Sequence, residues 1–236
     1  KSLSKLHVPE NDPTKFLRII AGQSSDAGEF YNQYARGEFT FSQFAQATGR
    51  NEFELWRGLI GKPEHRLLAS TGSHQEQNHY LAVARQAHTV TLDMTALLTA
   101  RYLDVLELLP SNFDKLFIPQ SIIERTNRHL TDLRLMENTE YGIAGFENGR
   151  FYFYKVSREV IRAQIEWTEA FLDFLKANCT VVPLDAVILE WVGEDEAVHL
   201  PDQASVTTLL VARQTNSVLY SDDLKLRDIA AHAMGV

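Results

Sequence analysis

The sequence predicts an α/β fold: a parallel sheet covered by helices on both faces, with an inserted β-hairpin and an all-α module in front. Three observations predict it. From Thr89 onward, short β-branched runs alternate with helical patterns, in the order β-α-β-α-α-β-α-α-β-α once the hairpin is set aside. That alternation builds parallel sheets with helical cover. The dipeptide Asn148-Gly149 separates two β-rich runs, and its tolerance of positive φ suits a type I′ turn. Before residue 88, Pro13, Gly37, Gly49, Gly58 and Pro63 cut the chain into short amphipathic pieces, as in a compact helical bundle. The expected division is a helical module over 1–87 and a sheet domain over 88–236.

In chain order, the spacing predicts helices over Lys15–Ala21, Glu29–Ala35, Ser42–Thr48, Glu52–Leu59 and Glu76–Gln86. Thr89-Val-Thr-Leu-Asp93 is a strand ending in an acid. A long helix is expected over Thr95–Leu109, stopped by Pro110. Lys115–Ile118 is a strand closed by Pro119, and Gln120–Asn138 is helical. The hairpin arms are Tyr141–Phe146 and Phe151–Val156. A helix over Arg158–Ala177 leads to the strand Thr180–Pro183. A short helix over Asp185–Val192 and an acidic loop over Gly193–Leu200 come next. Pro201 suits a first helical turn, so Asp202–Gln214 is helical. The strand Ser217–Tyr220 and the helix Leu224–Met234 close the chain.

The composition supports a packed core, since 44% of the 236 residues are hydrophobic and 23% charged. The net charge of −8 is unevenly placed. Residues 1–88 carry 10 basic and 9 acidic side chains, and residues 89–236 carry 13 and 22, a net of −9. A protein that coats DNA non-specifically presents a broad basic face, so that class is excluded. The single Cys179 excludes a disulfide framework and a thiolate zinc cluster. It reads as packing at a helix-to-strand junction. No apolar run is long enough to span a membrane and no signal peptide is visible, so the cytoplasm is the expected compartment. An opening on Lys1 suggests a piece of a longer protein.

The acids are ordered. Asp93 closes the first strand, Asp222 and Asp223 follow the last, Asp202 opens the helix before it, and Glu124 lies one turn into the helix after the second strand. In parallel sheets the strand carboxyl ends line the ligand crevice. Four or five carboxylates in one cleft stay charged together only when a cation neutralises them. Oxygen ligation selects Mg²⁺ or Mn²⁺, and such an ion activates water against a phosphodiester.

These segments resemble the PIN domain, a metal-dependent nuclease fold. The matching stretches are Val90–Leu98, Leu116–Glu124, Asp202–Ala212 and Val218–Arg227. The resemblance implies a PIN-like sheet over roughly 88–236 and hydrolysis of single-stranded RNA by an endoribonuclease. It implies catalytic and metal-binding roles for Asp93, Glu124, Asp202 and Asp223, with Asp222 an adjacent fifth metal ligand. Ser221 and Thr95 would be small polar groups near the ions. The hairpin exceeds the minimal PIN pattern. A helical module before such a domain also resembles segments of large bacterial proteins carrying tetratricopeptide arrays. A protein partner or antitoxin, a homodimer, and a catalytically degenerate scaffold stay open as alternatives.

Each feature has a plainer rival. Asp93, Asp202 and Asp222–Asp223 suit helix caps, and Glu124 could pair with Arg128 along its helix. Among Arg125, Arg128, Arg134, Lys225 and Arg227, Arg128 and Lys225 are the expected nucleic-acid contacts. Ser42–Leu55 has helix-turn-helix spacing, but its second helix is too acidic for DNA. It is expected to pack as a helical hairpin, with Trp56 and Leu59 in the core. His74, Glu76 and His79 lack metal-motif spacing and read as a solvated helix start. The alternating aromatics at 151–154 read as strand packing.

Overall fold

A computed structural model describes residues 27–61, 65–139, 142–147, 150–183 and 202–234. The helix expected over Lys15–Ala21, the Asn148-Gly149 turn, the Asp185–Val192 helix, the acidic loop and Pro201 lie outside the described residues. The chain opens with a helix over 27–35 (α1), followed by α2 (Phe41–Ala47) and α3 (Glu52–Ile60). Thr40 starts α2 with a reciprocal cap: its hydroxyl accepts from the Gln43 amide, and the Gln43 side chain accepts from the Thr40 amide. Asn51 caps α3 through Glu54 N–H. Phe41, Phe44, Ala45, Phe53, Leu55, Trp56 and Leu59 are buried, so the α2–α3 hairpin spends its apolar faces on packing. Helix α4 (His74–Gln86) leads out of this group with no buried residue.

From residue 89 onward the chain builds an α/β structure. Strands β1 (Thr89–Leu92), β2 (Lys115–Pro119), β5 (Thr180–Val182) and β6 (Val218–Tyr220) form a parallel sheet in the order β5-β2-β1-β6. Val90 lies opposite Leu116 on one side and Val218 on the other. Val90, Thr91 and Leu92 are buried in succession, as a strand covered on both faces requires. The separate hairpin pairs β3 (Gly142–Glu147) with β4 (Arg150–Lys155) antiparallel. Helices α5 (Met94–Tyr102), α6 (Leu109–Asn112), α7 (Gln120–Glu137), α8 (Arg158–Asn178), α9 (Gln203–Gln214) and α10 (Leu224–Met234) flank the sheet.

One element differs from expectation. The predicted Thr95–Leu109 helix ends at Tyr102, where Asp104 takes a left-handed φ of 58°. A 3-10 turn over Leu106–Leu108 then passes into α6. Pro110 opens α6 rather than stopping a helix, because its missing N–H falls where helix donors are unpaired anyway. The apolar count hid the break, since Tyr102, Leu103 and Leu108 are exposed.

One buried cluster joins Tyr34, Phe41, Phe44 and Phe53 to Val90, Leu92, Leu97, Ile118 and Phe171. The N-terminal helices and the sheet therefore share apolar packing. Cys179 is half-buried and burial pushes its thiol up to about 12, which leaves it protonated and inert.

Candidate metal centre

Three acids are positioned by the same backbone event, the start of a helix. Asp93 continues β1, its N–H donating to the Tyr220 carbonyl at 3.2 Å. It then caps α5: Oδ1 accepts from the Ala96 N–H at 2.8 Å. The Thr95 hydroxyl donates to the same carboxylate, 2.7 Å from Oδ2. Asp202 caps α9, with Oδ1 accepting from the Ala204 and Ser205 amides at 3.0 Å each. Asp223 follows β6, and its Oδ1 accepts from the Leu226 N–H at 3.2 Å. The cap reading and the cleft reading thus fall on the same carboxylates.

Electrostatics tie the acids together. Asp93 is 5% exposed and Asp223 2%. Burial pushes Asp93 up to about 6; hydrogen bonds from Ala96 and Thr95 oppose the rise, and the Asp222 charge adds to it. Burial pushes Asp223 up to about 7, with the Asp93 and Asp202 charges adding to the rise. Asp222 is half-buried and also raised, chiefly by burial. Its N–H donates to the Thr95 hydroxyl at 3.1 Å, so β6 and α5 are tied beside Asp93.

The fourth expected acid stands elsewhere. Glu124 is exposed and accepts from the Gln120 side chain at 2.8 Å. Arg125 of α7 lines the cleft, and Ser121, one turn before it, lies 3.2 Å from the Thr207 hydroxyl. Arg125 donates to the Ser121 carbonyl at 3.2 Å and pairs with Glu52 of α3. Arg128 is exposed and Lys225 half-buried. Arg134 pairs with Glu169 at 2.6 Å. Arg227 is structural: it bonds the Ser221 and Ala69 carbonyls, pairs with Glu76 and lies over the Tyr80 ring. Glu76, expected at a solvated helix start, is instead engaged by Arg227 and Thr71 with its side chain 12% exposed, while His74 and His79 are exposed.

Thr40, Phe41 and Glu52 meet the acids or line the cleft without having been selected from the sequence, and Arg125, named there among the basic residues but not chosen as a nucleic-acid contact, lines it too. The Thr40 hydroxyl donates to Asp202 Oδ2 at 2.8 Å, and the Phe41 N–H donates to Asp223 Oδ2 at 2.6 Å. Thr40-x-x-Gln43 is a capping-box pattern that marks a helix start, but nothing local places that start beside Asp202. The remaining space, bordered by Asp93, Asp223, Thr95, Glu52, Arg125 and Phe41, is about 10 Å³. That is room for about one water.

The donor set suits a hard divalent cation, being all oxygen and carrying clustered buried negative charge. As placed, no group of three or more His, Cys, Asp or Glu among the described residues is arranged to hold an ion. The oxygens of Asp202 and Asp223 nearest the N-terminal helices already accept hydrogen bonds from them.

A family model described as the PIN domain associated with the TPR-GreAB-C-PIN system matches residues 91–232. The chain belongs to the PIN-TPR-GreABC family. The match begins in β1 and ends in α10, so it takes in all five acids of the sequence reading. PIN domains form a nuclease-type superfamily. The residues of α1 to α3, with Thr40, Phe41 and Glu52, lie before the matched stretch. No curated protein and no solved structure matches the chain significantly.

Proposed function

We propose that this PIN protein is a divalent-metal-dependent endoribonuclease acting on single-stranded RNA with Mg²⁺ or Mn²⁺. The observation that supports the reading is that Asp93, Asp202 and Asp223 each cap a helix start, with Asp202 and Asp223 both bonded to the adjacent residues Thr40 and Phe41. Asp93, Asp202 and Asp223 would hold the ion, with Asp222 beside them. Bound there, the ion would supply charge neutralisation and water activation for phosphodiester hydrolysis. Thr95 and the Ala96 amide fix the Asp93 carboxylate, and Ser205 fixes that of Asp202. Arg125 stands in the cleft wall as a cation for a phosphate oxygen, with Arg128 and Lys225 further along as RNA contacts. Glu124 takes no part in this arrangement as placed. Among the described residues no helix is long and apolar enough to cross a membrane. The expected compartment is the cytoplasm, where RNA is at hand. The test is cleavage of single-stranded RNA with Mn²⁺ by the wild type and by Asp93→Asn; equal activity overturns the assignment.

A second reading is favoured by one observation, the Arg125–Glu52 pair that brings a cation into the acid cleft. A fixed cation there would suit a degenerate scaffold that binds a protein partner, such as an antitoxin, or a second copy of the chain. No Mn²⁺ binding in solution, together with a co-purifying small basic protein, would decide for it.

A further inference from the structure

The contacts that cover the acids come from one place. Phe41 N–H reaches Asp223 Oδ2 at 2.6 Å, and Thr40 Oγ1 reaches Asp202 Oδ2 at 2.8 Å. The Ser205 hydroxyl donates to Asp202 Oδ2 at 2.7 Å and lies 3.2 Å from Thr40 Oγ1. The other oxygen of each acid serves its helix start: Asp223 Oδ1 takes the Leu226 amide, and Asp202 Oδ1 takes the Ala204 and Ser205 amides. An ion coordinated by these carboxylates needs their lone pairs, and the N-terminal helices compete for them.

The covering segment is anchored rather than resting loosely. Phe41 is 1% exposed and stands edge-on to the Tyr34 ring. Ser42 donates to Glu52 at 2.5 Å, and Glu52 pairs with Arg125 of α7. Leu224, directly after Asp223, donates to the Leu68 carbonyl at 2.9 Å, and Tyr34 holds Leu68 N–H at 2.8 Å. The same strand of contacts thus passes from the N-terminal helices to the start of α10, beside Asp223.

We infer that the N-terminal helices are a built-in cap on the acid cleft, in which the Phe41 amide and the Thr40 hydroxyl stand where a divalent cation would bind. The inference rests on the metal-centre reading above and specifies how that centre is regulated. Each Oδ2 already accepts one hydrogen from the cap, so an ion approaching on that side competes with the start of α2 for the same oxygens. The space bordered by Phe41, Ser42, Glu52, Asp93 and Asp223 is about 10 Å³, room for about one water. Whatever draws the start of α2 away raises metal affinity and opens the cleft in one movement.

The experiment uses the full chain and Mn²⁺, followed by electron paramagnetic resonance titration. Thr40→Val keeps the shape at that position and removes the hydroxyl; Thr40→Ser keeps the hydroxyl. The expected result is Mn²⁺ binding about tenfold tighter in Thr40→Val, the worth of one hydrogen bond to a charged group. Thr40→Ser stays within about twofold of wild type, because its hydroxyl still donates to Asp202. Hydrogen exchange on the wild type supplies a readout independent of any variant: amides of residues 40–44 exchange faster at saturating Mn²⁺. Thr40→Val that binds no tighter than wild type, or exchange unchanged by Mn²⁺, overturns the cap while leaving the metal centre in place. If no form binds Mn²⁺ at millimolar concentration, both the metal centre and its cap are overturned.

Discussion

Asp93, Asp202 and Asp223 each stand directly before a helix, whereas Glu124 stands within the first turns of α7. At the first three positions the chain is turning from extended to helical, and the carboxylate is drawn onto the free amides of the new helix. The turn fixes where the side chain points. On α7, each step of one residue rotates the side chain by about 100°. Arg125 lines the cleft, while Glu124, one step round, is exposed and accepts from the Gln120 side chain. An acid at a helix start is therefore placed by chain topology; an acid inside a helix is placed by phase, which a strand-and-helix reading does not resolve.

The comparison is broken most directly by activity. Asp93→Asn and Asp223→Asn are each expected to lower Mn²⁺-dependent RNA cleavage by about 100-fold or more, as for loss of a charged group that holds the catalytic ion. An equal loss in Glu124→Gln would put that side chain back in the cleft.

Next in size is the Arg125–Glu52 pair, whose side chains are 20% and 8% exposed. Glu52→Ala leaves a guanidinium nearly buried with no carboxylate. Denaturant unfolding is expected to show a loss of about 2 kcal/mol, discounted for the partial exposure of Arg125. A double variant with Arg125→Met should recover most of it, which separates the lost pair from lost packing.

A pH series sharpens the comparison without metal. The folded Asp223 is raised to about 7 from an ordinary 3.8. The folded state therefore binds more protons than the unfolded chain between those values. Its contribution is fully present below about 3.8 and is lost as pH rises through about 7. Asp93 behaves alike up to about 6. Buried His129 is pushed down to about 4, so its term runs the other way, present above 6.5 and lost as pH falls towards 4. Metal-free wild type should thus lose stability relative to Asp223→Asn as pH rises from 4 to 7, at up to about 1.4 kcal/mol per pH unit. Thermal unfolding of the pair across that range checks it, and a flat difference would show that Asp223 is not held protonated.

The smallest effect is on stability at Glu124. Glu124→Gln removes an exposed charge and should shift unfolding by less than about 0.5 kcal/mol. Calorimetry giving more than 1 kcal/mol would reveal a partner for Glu124 other than Gln120.

Much of the sheet was legible because β-branched runs bounded by Asp, Pro and Ser leave little choice of strand. Thr89–Leu92, Lys115–Pro119, Thr180–Val182 and Val218–Tyr220 fall within a residue or two of expectation. The break after Tyr102 was not legible, because it depends on Asp104 adopting a left-handed conformation that composition does not signal. At the cleft, the strand-end and helix-start acids could be read from local order. The roles of Thr40, Phe41 and Arg125 could not. Their partners lie at sequence separations of 162, 182 and 73 residues, and only the packing of α2 and α3 against the sheet brings them into register.

Those separations carry a consequence for how the molecule comes into being. Chains emerge N-terminus first, and contacts between distant positions close late in folding. Asp93 is synthesised well before Asp223, and α10 is the last described element of all. A nascent chain can therefore assemble α1 to α3 and the first strands while the acid set is still incomplete. Of the bonds that cover the acids, the pairing of Phe41 N–H with Asp223 Oδ2 is the last whose two partners have both been synthesised.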